Sequence, residues 1–139
     1  MSKTQTVTTE TSKRVIYSDF FTDFSPHVNT GQLNKKTNED AVKQSVRNLL
    51  LTDFYERPYQ PKIGSNLKAL LFENYGPETQ ILIIDAVTDV FDKFEPRAVL
   101  ISVNPIANPD NNSISVTIKF RIINSTEPAS LQLLIERVR

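Results

Sequence analysis

The sequence predicts an α+β fold: three helices packed on a small antiparallel sheet, preceded by an extended N-terminal arm. Three observations carry this. Two apolar stripes of helical period lie between residues 38 and 94, with a short apolar segment between them. From Ser113 to Ile122, apolar and polar residues alternate strictly, the mark of a half-buried antiparallel strand. Helical signals come first and strand signals last, which suits segregated layers better than a parallel sheet.

Residues 1–13, MSKTQTVTTETSK, are mostly Thr, Ser and Lys. They bury too little apolar surface to offset ordering and read as a flexible tail. Residues 14–37 carry Val15, Ile16, Tyr17, Phe20, Phe21 and Phe24 without a clear period, and Pro26, Gly31 and Asn34 interrupt them. This is an extended arm, lying on its own domain or on a partner. The folded body is expected over 38–139.

The first helix is predicted over 38–51. Thr37 stands as its cap, with Asp40 in capping-box position, and Val42, Val46, Leu49 and Leu50 form one stripe. Two prolines in ERPYQP bias residues 56–61 away from helix. A short second helix follows Ser65, burying Leu67, Leu70 and Leu71. Pro77, after Gly76, opens a third helix whose stripe is Ile81, Ile84, Val87, Phe91 and Phe94. Pro96 ends it. Val99, Ile101 and Val103 alternate with Leu100 and Ser102 in a first strand. NPDNN at 108–112 is turn chemistry, so the 113–122 strand closes a hairpin. SLQLLIERVR fits strand or helix: Leu131, Leu133 and Ile135 alternate but Leu134 breaks the pattern, and a third strand after the break at Pro128 is preferred.

Of 139 residues, 16 are Lys or Arg and 16 are Asp or Glu, so formal net charge is zero. Nucleic-acid binding by bulk positive charge is disfavoured. There is no cysteine, which excludes disulfides, thiolate catalysis and cysteine-ligated metals. No run approaches the length of a membrane span, and the N-terminus has no apolar signal core. A protein made and held soluble in a cytoplasm is expected, without nucleic-acid or membrane partners. Three glycines leave few places for phosphate-cradling loops, and neither GxGxxG nor GxxxxGK followed by Ser or Thr occurs.

Catalytic readings are thin. His27 is the single histidine, in the arm, and a Ser–His–Asp triad would have to be built on it. A glycosidase needs two carboxylates flanking a sugar, one with a raised pKa. Glu56 and Glu95 are conspicuous, but each stands beside an Arg or a Pro, which favours ion pairing. Asp85, Asp89 and Asp92 recur on the third helix and read as a solvated face rather than a metal site. No catalytic residue, metal or cofactor is expected. Glu95-Pro96-Arg97 poses the sharpest question: an ion pair inside the chain, or a handle for another protein.

In this order and spacing, AVKQSVRNLLLT (41–52), ERPYQPKIGSNLKALLFE (56–73) and FEPRAVL (94–100), with HVNTGQL (27–33) ahead of them, resemble the T4-type phage baseplate wedge subunit family. That family has relatives in type VI secretion baseplates and an old label as a tail lysozyme. Where it usually carries a turn glycine before the Glu-Arg-Pro run, this chain has Phe54-Tyr55. The resemblance implies a non-enzymatic part of a virion tail baseplate, assembled in the host cytoplasm. Its implied partners are other wedge proteins and the tail sheath protein, with the tail tube close by. It also implies sheath initiation by strand addition to the small sheet, with a tail muramidase as the rival role. Glu95, Pro96 and Arg97, projecting from a rigid corner, and Leu131, Leu133 and Ile135 on the terminal strand are the implied partner-binding residues.

Overall fold

A computed structural model describes residues 14–70, 73–108, 110 and 112–136 of the chain. The expected tail over 1–13, and Leu71 in the second helix, lie outside the described residues.

The segment 14–37 folds back on itself rather than running extended. Strands β1 (Ser18–Phe20) and β2 (Lys35–Thr37) pair antiparallel, with Ser18 opposite Thr37. A bridge between Pro26 and Leu33 tightens the long connection. Turn-forming residues inside the segment allow two short polar-edged strands to meet, a non-local pairing that leaves no period to read. Lys35 and Lys36 lie over the rings of Phe20 and Phe21, at 5.9 and 5.0 Å from their centroids.

Helix α1 spans Asn38–Leu51 and buries Val42, Val46, Leu49 and Leu50. The expected capping box does not form, because Thr37 makes no side-chain cap bond. Asn38 instead adopts a left-handed backbone (φ 49°), which asparagine tolerates better than most residues. Its side-chain oxygen accepts the amides of Ile16 (2.9 Å) and Tyr17 (3.4 Å), and its side-chain nitrogen donates to the Arg14 carbonyl. One residue thus starts the helix and fastens the arm to it. Gln44, nearly two turns further along, donates to the Phe20 carbonyl at 2.7 Å.

The connection after α1 is tightly pinned. Ser65 Oγ donates to the Leu50 carbonyl at 2.5 Å and lies 3.4 Å from the Leu67 amide. Gly64 has φ 149°, and a Cβ there would sit 2.7 Å from the Thr52 carbonyl oxygen, so only glycine fits this approach. Helix α2 is short, Leu67–Leu70, and buries both of its leucines.

Helix α3 spans Pro77–Phe94. Its buried stripe is Ile83, Val87, Val90 and Phe91, with Phe94 half-buried, whereas Ile81 and Ile84 are exposed. Four apolar residues in a row, Ile81 to Ile84, suit two helical phases equally. Packing against α1 and the sheet selects the phase of Ile83.

Strands β3 (Ala98–Asn108), β4 (Ser113–Ile122) and β5 (Pro128–Glu136) form one antiparallel sheet in that order. Its inner face is set by rows such as Val103–Ile118–Leu131 and Pro105–Val116–Leu133. These rows share one core with the buried faces of α1, α2 and α3, and Phe91 meets Phe120 at 5.5 Å between ring centroids. Strand β3 departs from simple alternation. The register skips Ile101 between Leu100 and Ser102, a bulge that changes the facing of the strand. Leu100 and Val103 therefore turn inward, while Val99 and Ile101 face solvent.

Candidate functional site

The corner at Glu95-Pro96-Arg97 joins α3 to β3. The Glu95 amide caps α3 on the Phe91 carbonyl, and the Glu95 carbonyl accepts the Ala98 amide to close the turn. Pro96 cannot continue the helix, so the chain turns here. The Glu95 side chain is only 1% exposed and does not project, contrary to expectation. Arg97 meets it in a two-pronged pair, Nε to Oε1 at 2.5 Å and Nη2 to Oε2 at 2.8 Å. A carboxylate buried beside an apolar core must be paired, and a guanidinium fork two residues on supplies both donors. The bond to Glu95 raises the Arg97 pKa above its ordinary value, against a smaller opposing effect of burial. The guanidinium also lies 5.7 Å from the Tyr17 ring centroid, so the corner is tied to the root of the arm.

A groove opens beside this corner. It runs between α3, at Ile84, Thr88 and Phe91, and the first half of β3, from Ala98 to Val103. Strand β3 is an outer strand, so its far edge has no partner strand among the described residues. Val99 and Ile101 stand on it 48% and 55% exposed. The second half of the same edge is guarded. Pro105 carries no N–H to offer, and its carbonyl already accepts the Tyr75 hydroxyl at 3.2 Å.

Strand β5 is the opposite edge. Leu133 and Ile135 are buried and Leu131 is half-buried, all on the core side. Their side chains hold the sheet to the helices and are not offered outward. The β5 backbone edge remains without a partner strand among the described residues. Sequence reasoning named Leu131, Leu133 and Ile135 because they lie on the terminal strand, at an open sheet edge; their side chains face the core. The residues it passed over, Val99 and Ile101, are marked by apolar character on an outer strand, which becomes visible only once the bulge is known.

The carboxylates named for acid–base work are both occupied. Glu56 accepts the Asp53 amide at 2.8 Å in the loop, and Glu95 is held by Arg97. His27 accepts the Asn29 amide in the arm's connection. Asp89 pairs with Lys93 on an exposed face at 2.6 Å. Among the described residues no cluster of three His, Cys, Asp or Glu could hold a metal ion, and no helix is long and apolar enough to cross a membrane.

A family model described as baseplate wedge protein gp25 matches residues 36–127, more than half of the sequence, and the chain belongs to that family. The baseplate wedge protein gp25 of Enterobacteria phage T4 is 29% identical over 87 residues. That match spans 63% of this chain and 66% of the T4 protein, just under two-thirds of its length. Solved structures share the fold. A Geobacter sulfurreducens protein bearing the name tail lysozyme superposes with a TM-score of 0.66 at 22% identity, covering 73% of this chain and 92% of its own. A chain of the anti-feeding prophage baseplate gives 0.62 at 19% identity, covering 86% and 85%. A chain of the contracted pyocin R2 baseplate gives 0.50 at 18%, covering 82% and 98%.

Proposed function

We propose that this chain is a structural component of a contractile-tail baseplate, joining wedge proteins around the tube and starting the sheath by accepting a strand at the edge of its small sheet. One observation supports the reading above the others. The first half of β3 has an edge with no partner strand among the described residues, two exposed aliphatic side chains, and a groove of mixed apolar and polar lining behind it. An open edge is a template for strand addition: main-chain bonds supply affinity, and alternate side chains of the donor find pockets. Pro105 and Tyr75 limit the template to about half of the strand's length, which restricts where a donor can add.

The corner contributes by stiffness. Glu95, Pro96 and Arg97 fix the angle between α3 and β3 and thereby the width of the groove. Arg97, 34% exposed at its side chain, keeps a surface for a wedge partner. On this reading the protein acts in the virion tail after assembly in the host cytoplasm. It needs no cofactor and performs no catalysis.

The test is reconstitution. Baseplates assembled without this protein are expected to complete their wedges poorly and to nucleate no sheath, and adding the purified chain restores both. Normal sheath on baseplates that lack it would overturn the proposal. So would clearing of a cell-wall suspension by the purified chain that Glu56→Gln or Glu95→Gln abolishes.

A further inference from the structure

The family model begins at residue 36, so the hairpin over 14–35 lies outside it. Two features then stand unexplained, one on the hairpin and one at the C-terminal half of α3. On the hairpin, Phe24 is 64% exposed and has φ 50°. An aromatic residue in the left-handed region is a strained exception, and such strain persists only where surrounding bonds enforce it. Here the Phe24 amide is bound to the Phe21 carbonyl at 3.1 Å, and Asp23 Oδ1 accepts both the amide and the hydroxyl of Ser25. The connection is thus built to present an aromatic ring beside a carboxylate. The stretch SDFFTDF (18–24) repeats that chemistry, with Asp19 before Phe20.

The second feature is a cavity of about 520 Å³ between the 52–66 connection and α3. Ala86, Val90 and Phe94 form an apolar wall, and Lys62, Lys93 and Asp89 stand at its rim. Its size falls in the range of about 300–1,000 Å³ that holds small ligands, and its lining is mostly apolar with few polar groups, the usual make-up of such sites. Lys93 is paired with Asp89, while Lys62 makes no ion pair among the described residues. The walls are preformed: Gly64 packs on the Thr52 and Asp53 backbone, and Tyr55 donates its amide to the Pro61 carbonyl at 2.9 Å.

An aromatic anchor flanked by a carboxylate matches an apolar cavity whose rim carries Lys62, without an ion pair among the described residues, beside the self-neutralised Lys93–Asp89 pair. Within one chain the two do not meet, since Phe24 is exposed and takes no part in the cavity lining. We propose that the hairpin of one copy docks in the α3 cavity of a second copy, with Phe24 as anchor and Asp23 facing Lys62. A net charge of zero leaves no long-range repulsion between copies. The contact joins two different patches, so it is head-to-tail and propagates into a ring or an open row. It is independent of strand addition at β3, which lies on the other side of α3's packing.

The absence of cysteine allows a direct test on the full chain. One sample carries Thr22→Cys beside Phe24, and the other carries Asn66→Cys on the cavity rim. Mixed under mild oxidation, they are expected to give mainly the mixed disulfide dimer, with few dimers of either variant alone. Adding Phe24→Ala to the first partner, or Lys62→Glu to the second, should lower the rate of mixed-dimer formation about tenfold, as removal of a central anchor does at small interfaces. Combining Asp23→Lys with Lys62→Glu should restore it. Dimers in statistical proportion, or a yield indifferent to Phe24 and Lys62, would overturn the proposal.

Discussion

The two outer strands of the sheet look equivalent in topology and differ in what lies beside them. Along β5 the apolar residues Leu133 and Ile135 point into the core, and the alternate residues Ser130, Gln132, Leu134 and Glu136 face out. Along the first half of β3 the apolar residues Val99 and Ile101 point out, and a groove runs behind them. Natural edges are usually blunted by charge, proline or a bulge. On β3 the proline blunts only the second half, at Pro105, and the bulge at Ile101 turns an aliphatic side chain toward solvent instead of hiding the edge. On the proposed reading, a docking edge is marked by its unburied apolar groups rather than by the strongest alternation.

The contrast can be broken by substitution. Leu133→Ala, on β5, is expected to cost about 2–5 kcal/mol of folding stability through lost burial and a residual cavity. Urea unfolding measures it, and a cost under 1 kcal/mol would mean that β5 does not carry core packing. Arg97→Ala leaves the Glu95 carboxylate buried and unpaired. Because the guanidinium is partly exposed, the expected cost lies near the lower end of the buried-pair range, about 3 kcal/mol. Arg97→Lys should recover only part of this, since an ammonium cannot reproduce the fork. A thermal melt unchanged by Arg97→Ala would remove the corner from the fold's supports and return it to the role of an external handle.

Smaller effects sharpen the picture. Asn38→Gly keeps the left-handed backbone but deletes the side-chain bonds to Arg14, Ile16 and Tyr17, an expected loss of about 1–2 kcal/mol. Its signature is faster amide exchange at Ile16 and Tyr17 with α1 otherwise intact. Smallest in stability is Val99→Lys with Ile101→Lys, expected within about 0.5 kcal/mol because both sites face water. The same pair should abolish sheath nucleation on reconstituted baseplates, so the variant that costs the fold least costs the proposed function most.

Much of the fold was legible because local signals agreed with the packing. The stripe Val42, Val46, Leu49 and Leu50 placed α1 at its observed bounds, and the alternation from Ser113 to Ile122 placed β4. Pro77 and Pro96 bracketed α3. What escaped was set by contacts distant in sequence. The phase of α3 is undetermined across Ile81–Ile84 until its neighbours are known. The Asn38 clamp joins residues 24 apart, and no local pattern announces it. The bulge at Ile101 reverses facing without any glycine or proline to signal it, and so hid the candidate edge. At the corner, Glu95 and Arg97 were found as a pair, but whether the fork closes inside the chain depends on the burial of Glu95, which spacing does not reveal.

The central claim is that an incoming sheath strand pairs with the first half of β3. Hydrogen exchange of this protein within baseplates, compared before and after sheath protein is added, tests it most directly. New protection is expected at amides between Ala98 and Val103, with β5 amides from Ala129 to Glu136 unchanged. Protection confined to β5, or none on the sheet while sheath polymerises, would contradict the account.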